Sequence, residues 1–401
     1  MAELSLFRHQ TKIGGRVTGT IIISGSIAQK PWHGGHTWVF LQYLLGFKKL
    51  GWEVLFLDRL DPAMCVDSAG KTCPIEESTN LSYLQRVMQR FGLDGAYSVV
   101  CDDGRSIGLP REEVLRRTSR SALLLNVMGF LRDPEILDRA RKRVFLDIDP
   151  GFGQMWQELG LCKTFAGHHD YVTIGENIGQ PDCGIPACGL KWIATRQPVV
   201  LDYWKPDGDT GTRGFTTVAS WRGSYGPVPY RGKTYGLRVH EFRKFVSMPL
   251  LTAQPFEAAL DIHPADAADR TALEQNGWKL VDPRIASSDP WKYREYIAGS
   301  NAEFTVAKNM YVETRSGWFS DRSICYLASG KPVLVQDTGL GRLYPAGKGL
   351  MTFNCLGEAA SCVQELSRDY RAHATAARGI AEEYFDSNKV LCRLLRNLRI
   401  N

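Results

Sequence analysis

The sequence predicts an α/β chain of two doubly wound domains, and three observations carry that prediction. The 401-residue length exceeds the roughly 250 residues at which one hydrophobic core stops growing. Short β-branched apolar runs alternate with helical periodicity in both halves, the pattern of parallel sheets covered by helices. The alternation breaks once, at 196–214 (RQPVVLDYWKPDGDTGTRG), where helical periodicity fades and Pro, Gly and Asp gather as in interdomain connections. The expected division is 1–200, 214–375 and a C-terminal helix at 376–401 that packs across the two domains.

The first half opens with TGTIIISGS (18–26), the loop QKPWHGGH and the helical stretch 37–51, in which Trp38, Leu41 and Leu45 share a face and Lys48 and Lys49 suit the C-terminal dipole. EVLFLDRL (53–60) follows, completing a β-α-β unit with a right-handed crossover, the start of a Rossmann-like domain. Helices are predicted near 80–91 and 112–118, with strands at 96–101 and 143–148. The apolar stretch SALLLNVMGFL (121–131) reads as a buried helix. The second half repeats the cycle: strands at 215–221, 256–263, 279–283, 303–308 and 332–337, with helices near 237–246, 265–276, 291–298 and 323–329. The last helical stretch sets Val390, Leu391, Leu394, Leu395 and Leu398 on one stripe, as domain packing requires.

Composition narrows the function classes. Charged residues are 23% of the chain with a formal net charge of +6. That mild excess suits phosphorylated small molecules and falls short of the charge density of a nucleic-acid binder, so no nucleic-acid partner is expected. The ten cysteines are scattered without the paired spacings of a zinc site and read as reduced thiols of a cytoplasmic protein. The N-terminal residues lack the apolar run of a secretory leader, and 121–131 is about half the roughly 20 residues a membrane span requires.

Open parallel sheets bind ligands beyond the carboxyl ends of their strands, so the loops there are the candidate sites. After the first strand come Lys30, Pro31, Trp32, His33, Gly34, Gly35 and His36, glycines that admit a ligand close to the backbone, at a helix N-terminus that attracts anions. After the first strand of the second half come Trp221 and Arg222, then Arg231 and Lys233. The third segment runs Ser316, Gly317, Trp318, Phe319, Ser320, Asp321, Arg322, Ser323, then Cys325, the Ala328-Ser329-Gly330 turn, a buried strand, and Asp337, Thr338 and Gly339.

These segments, in this order, resemble GT-B glycosyltransferases. Gly34-Gly35, a Leu-rich helix and Gly51-Trp52-Glu53-Val54 resemble that family's opening, with Trp52 where it usually has His. The third segment resembles the C-terminal module of the glycosyltransferase 4-like and CgeB-like groups, in which an Arg stands eight residues before the Gly of the turn, as Arg322 does. The resemblance implies two Rossmann-like domains facing across a cleft and a nucleotide-sugar (NDP-sugar) donor in the C-terminal half. It implies donor contacts from Gly34, Gly35, Trp221, Arg222, Lys233, Ser316, Gly317, Ser320, Asp321, Arg322, Ser323, Asp337 and Thr338. Cys325 stands where many retaining members carry a Glu, so no stereochemical outcome is implied.

The acceptor, a small molecule or glycan, would meet the N-terminal half. Inverting members often place a His just after the first strand, which makes His33 and His36 candidate bases, with Asp102 or Asp103 as the orienting carboxylate. Asp147, Asp149, Glu176 and Asn177 are further strand-end candidates for the cleft. Trp32, Trp38, Trp221 and Tyr225 are aromatic candidates for stacking on a ligand. His168, His169, Cys183 and Cys188 match no common zinc spacing, and neither metal nor cofactor is expected. The alternatives are a sugar-nucleotide epimerase of the same architecture, recognised by conversion without acceptor, and a non-catalytic carbohydrate-binding or coat-associated protein, recognised by binding without turnover.

Overall fold

A computed structural model describes residues 19–206 and 212–400. The N-terminal stretch read for a secretory leader and the middle of the expected connection lie outside these residues.

The first sheet has eight strands: β1 (Thr20–Ser24), β2 (Glu53–Leu60), β3 (Tyr97–Cys101), β4 (Ser106–Gly108), β5 (Leu123–Val127), β6 (Arg143–Asp147), β7 (Asp170–Thr173) and β8 (Trp192–Ala194), in the order β4-β3-β2-β1-β5-β6-β7-β8. Only β3 and β4 pair antiparallel. At the centre Ile22 stands in register between Leu55 and Leu124, all fully buried, because a parallel sheet covered on both faces selects apolar residues at every position. Helices α1 (Gly34–Lys49), α2 (Thr79–Arg90), α3 (Arg111–Arg120), α4 (Pro134–Arg139) and α5 (Phe152–Glu158) belong to this half.

The stretch 121–131 is not the helix its apolar run suggested. Leu123–Val127 is β5, beside β1 in the middle of the sheet. A continuous apolar run of this length is equally the mark of a strand buried on both faces, and Met128 and Gly129, at φ 50° and 67°, turn the chain immediately after it.

The second sheet is wholly parallel, ordered β13-β12-β9-β14-β15-β16, with β9 (Phe215–Ser220), β12 (Phe256–Asp261), β13 (Trp278–Leu280), β14 (Ala302–Thr305), β15 (Val333–Gln336) and β16 (Leu350–Phe353). β16 extends the sheet one strand beyond the run expected to complete it. A hairpin of β10 (Val228–Tyr230) and β11 (Lys233–Tyr235) stands between β9 and helix α6 (Arg238–Phe242). Helices α7 (Ala267–Gln275), α8 (Pro283–Ser287), α9 (Pro290–Ala298), α10 (Asn309–Glu313), α11 (Asp321–Ala328) and α12 (Leu356–Arg368) complete the second Rossmann-like domain.

Helix α13 (Tyr370–Ile380) packs on α11, and the chain then crosses back so that α14 (Ser387–Asn397) lies on α1, Leu391 seated against Gly46. The connection between the domains is equally anchored: the Val199 N–H donates to the Phe385 carbonyl at 2.8 Å and Trp204 packs on Trp38 with centroids 4.9 Å apart. Three further contacts lock the domains. Lys308 Nζ donates to both Asp149 oxygens at 2.8 and 2.7 Å, Trp38 Nε1 donates to the Pro290 carbonyl at 2.7 Å, and Asn177 Nδ2 donates to the carbonyls of Arg315 and Gly339 at 2.9 and 3.0 Å.

Candidate active site

A cavity of about 720 Å³ opens between the domains. Its second-domain wall is built from the carboxyl ends of β9 (Val218, Ala219, Ser220), β12 (Leu260, Asp261) and β13 (Leu280), and from the first turn of α11 (Asp321, Arg322). The first domain contributes the loop after β1 and the start of α1: Pro31, Trp32, His33, Gly35 and His36. This is the strand-end crevice where open α/β sheets bind ligands.

Beneath the β9 end lie two buried guanidinium groups. Arg322 is buried and held by its surroundings: it pairs with Glu303, donates to Thr305 and donates to the Val218 carbonyl at 2.8 Å. Arg238, also buried, donates only to the carbonyls of Val306 (3.0 Å) and Ser220 (3.1 Å) and, among the described residues, has no carboxylate in ion-pair contact. Burial, with Arg322 close by, pushes the Arg238 guanidinium down to about 10. Lys30, near Asp149 and Lys308, is likewise lowered by burial. Burial raises the Asp321 carboxyl, so this group at the cavity suits sugar or ribose hydroxyls better than phosphate.

The first-domain residues that line the cavity include two histidines. His36 Nε2 and the Ser26 hydroxyl are hydrogen-bonded at 2.9 Å; burial, with Lys30 and His33 nearby, pushes the imidazole down to about 3 and leaves it a weak base. His33 is exposed, and its Nδ1 lies 2.8 Å from the Pro31 carbonyl. A carbonyl only accepts, so that nitrogen carries the hydrogen and the Nε2 lone pair is left available in the cavity wall. Asp58 pins the same loop from below, accepting from the N–H of Ala28 at 2.6 Å and from Gln29 Nε2 at 2.9 Å.

No protein-family model matches the chain, and no curated protein matches it. Solved structures do. An alpha-glucosyltransferase in complex with UDP and a 13-mer DNA containing a central A:G mismatch is 12% identical over 95% of this chain and 99% of that chain, with a TM-score of 0.56. AviGT4, a glycosyltransferase involved in Avilamycin A biosynthesis, is 11% identical over 95% and 97%, with a TM-score of 0.55. A glycosyltransferase from Rickettsia africae ESF-5 is 11% identical over 95% and 98%, with a TM-score of 0.54. The fold is GT-B. Identities this low carry the architecture and not the chemistry.

Within the GT-B frame the expected site residues fall into three groups. His33, His36, Gly35, Asp321 and Arg322 line the cavity. Gly34 lies at the domain contact, where a Cβ would overlap the Asp289 carbonyl, and Gly317 packs on Asn177. Ser316 is buried beside them, Ser320 caps α11, and Ser323 is buried in that helix. Asp337 closes a turn by accepting from the N–H groups of Gly339 and Leu340 at 2.9 and 2.8 Å, and Thr338 donates to the Trp318 carbonyl at 2.7 Å.

The remaining residues lie off the cavity. Trp221 is a core side chain, 1% exposed, whose indole N–H donates to Asp269. Arg222 forms a bidentate pair with Asp266 at 2.6 and 2.7 Å, and Lys233 pairs with Glu313 on the exposed hairpin. Asp102 and Asp103 do not orient a histidine: they pair with Arg59 and Arg105, both at 2.7 Å. Glu176 is taken by Arg196 and Tyr344. His168 and His169 hydrogen-bond Asn126 and Arg143, and Cys188 the Gln154 carbonyl.

Sequence reasoning passed over Arg238, Lys308 and Asp58. Arg238 looks like any basic residue opening a short helix, and its inward position comes only from the carbonyls of β9 and the β14 end. The signal that marks it, a buried cation held by carbonyls with no carboxylate in ion-pair contact among the described residues, is visible only when the sheet has brought those strands together.

Proposed function

We propose that this GT-B chain transfers a sugar from a nucleotide-sugar to an acceptor hydroxyl. The observation that carries the reading is the cavity at the strand ends between the domains, backed by Arg238, buried behind the Ser220 end of β9 with no carboxylate in ion-pair contact among the described residues. A departing nucleoside diphosphate needs positive charge fixed in advance, and a buried arginine supplies it without reorganisation. Lys30 adds a second cation from the facing domain, so side chains rather than a metal ion would stabilise the leaving group. The alpha-glucosyltransferase of like fold binds UDP, which makes a uridine nucleotide the first donor to try. His33, with its available Nε2, takes the acceptor proton; His36, neutral and tied to Ser26, holds the loop beside it. The ten free thiols suit a reducing compartment, and we assign the protein to the cytoplasm. No described helix is long and apolar enough to cross a membrane.

Thermal unfolding against UDP, GDP, dTDP and CDP sugars tests the donor half of this reading, since a ligand that binds the native state raises the melting temperature. One nucleotide family should shift it, and Ser220→Phe, which places a bulky ring at an exposed position of the cavity wall, should abolish the shift. Acceptor screening with the donor so found should then give transfer that falls about a hundredfold or more in His33→Ala while the nucleotide shift persists. No shift across a saturating panel would overturn the donor reading. Donor conversion without acceptor would make the protein an epimerase, and transfer to duplex DNA in the screen would replace the glycan or small-molecule acceptor.

A further inference from the structure

Four aromatic residues in candidate loops were open to a role in ligand stacking, and the structure separates them. Trp38 and Trp221 are core side chains at 2% and 1% exposure. Tyr225 is half-buried against Phe152 and Trp156, with centroids 5.0 Å away in each case. Trp32 alone of the four lines the cavity, and it is 40% exposed.

Two features show that this exposure is held in place. The Trp32 backbone has φ 65°, a left-handed conformation that a bulky residue adopts only against a steric cost. Its ring is braced by α2: Tyr83 packs on it with centroids 5.3 Å apart, and the Arg86 guanidinium lies over one face, 5.4 Å from its centroid and 5.3 Å from that of Trp291 on α9. Tyr83 is in turn buried and hydrogen-bonded to Thr37 of α1 at 2.8 Å. The indole is therefore a pre-oriented plate between the two domains, and a ligand that meets it loses little by ordering it.

We infer that Trp32 is the platform for the acceptor and that the acceptor presented to it is a pyranose ring; this rests on the transferase reading above. A pyranose has an apolar C–H face, which an indole covers, and a rim of hydroxyls, which need hydrogen-bonding neighbours. Trp32 has both kinds of surroundings. His33 follows it directly, and Ser287 from α8, whose carbonyl lies close to Gly34, lines the same cavity. A ring lying on Trp32 would bring its hydroxyl edge to the loop that carries His33.

Saturation-transfer NMR on the full chain, with methyl glucoside, methyl galactoside and cellobiose as probes and umbelliferone as a flat aromatic comparator, tests this with and without UDP. At least one glycoside should receive saturation on its ring C–H protons. That signal should weaken roughly tenfold in Trp32→Gly and persist in Trp32→Phe, which keeps an aromatic face. Trp32→Gly should melt within a few degrees of the wild type, because the relief of the left-handed backbone offsets part of the packing lost against Tyr83. Absence of any glycoside signal, a signal unchanged in Trp32→Gly, or Trp32-dependent binding of umbelliferone alone would each overturn the platform. So would a Trp32→Gly variant that loses stability and binding together while Trp32→Phe recovers neither. The nucleotide-dependent thermal shift reports the donor reading separately: a shift without a glycoside signal sinks the platform alone, and a glycoside signal without a shift sinks the transferase reading and with it the acceptor role, leaving Trp32 a sugar-binding surface only.

Discussion

The loop after β1 and the loop after β9 occupy equivalent places, each following the first strand of its sheet, yet their charged and polar residues point in opposite directions. The first loop is tied inward, with Ser26 on His36 and Asp58 beneath Ala28 and Gln29, and it lines the cavity. The second turns its cations outward: Arg222 to Asp266, Arg231 to Glu158 and Lys233 to Glu313. Their partners lie far away in sequence, so the cations look unpaired until the chain folds. What the second loop contributes inward comes at its end, in Arg238. A basic residue at a strand end marks an anion site only if nothing else has neutralised it.

Replacing one cation of each kind sharpens the contrast and gives the largest expected effect. Arg322→Ala leaves Glu303 buried without its partner and should destabilise the protein by about 3–5 kcal/mol in urea unfolding. Arg222→Ala removes an exposed pair and should cost no more than about 1 kcal/mol. Equal losses would break the division into inward and outward cations.

A smaller effect is expected where the first loop enters α1. Gly34→Ala should cost about 1–3 kcal/mol and weaken the nucleotide shift, because a Cβ there meets the Asp289 carbonyl across the domain contact. Gly95→Ala, with nothing within 4 Å, is the control. Helix propensity alone would favour alanine at Gly34, so a stabilised variant would show that the domains yield at this point.

These cases show what the sequence makes legible. The strand-helix alternation was readable because each parallel strand carries its own apolar signature, and β1, β2, β9, β12 and β15 lie where expected. The β5 segment was misread because LLLNV is apolar at consecutive positions, without a period to separate strand from helix. Of the residues that line the cavity, Gly35, His33 and His36 are legible from their place after β1, and Asp321 and Arg322 from their place at a helix start. Arg238 and Trp32 were distinguished only by what surrounds them: two carbonyls from separate strands for one, and a left-handed backbone braced by α2 for the other.

The inward ties of the first loop predict two pH dependences of opposite sign. Burial pushes Asp58 up to about 7 from the ordinary 3.8, so the native state holds a proton that the unfolded chain has released. Its contribution to stability is complete below about pH 4 and is lost as pH rises to 7. His36, pushed down from 6.5 to about 3, contributes fully above 6.5 and loses its contribution as pH falls toward 3. The wild-type-minus-variant stability difference should therefore fall with rising pH for Asp58→Asn, by on the order of 3 kcal/mol between pH 4 and 7, and rise with pH for His36→Gln. Curves of the same sign in urea titrations would mean that the two groups do not share one buried setting.

The smallest effect is expected at Asp102, at the end of β3. Its carboxylate is bound through both oxygens to Arg59, at 2.7 and 2.8 Å, and that pairing holds its pKa below the ordinary range. The pair is solvent-exposed, so Asp102→Asn should change stability by less than about 1 kcal/mol. Because neither oxygen is directed to a histidine and the residue does not line the cavity, transfer should stay within about twofold of the wild type, against the far larger loss expected in His33→Ala. A fall in transfer comparable to that of His33→Ala, at unchanged stability, would place Asp102 in the proton path after all. The Arg59 pair would then have to open when acceptor binds, and the outward-facing groups at the strand ends would belong to the site as fully as the inward ones.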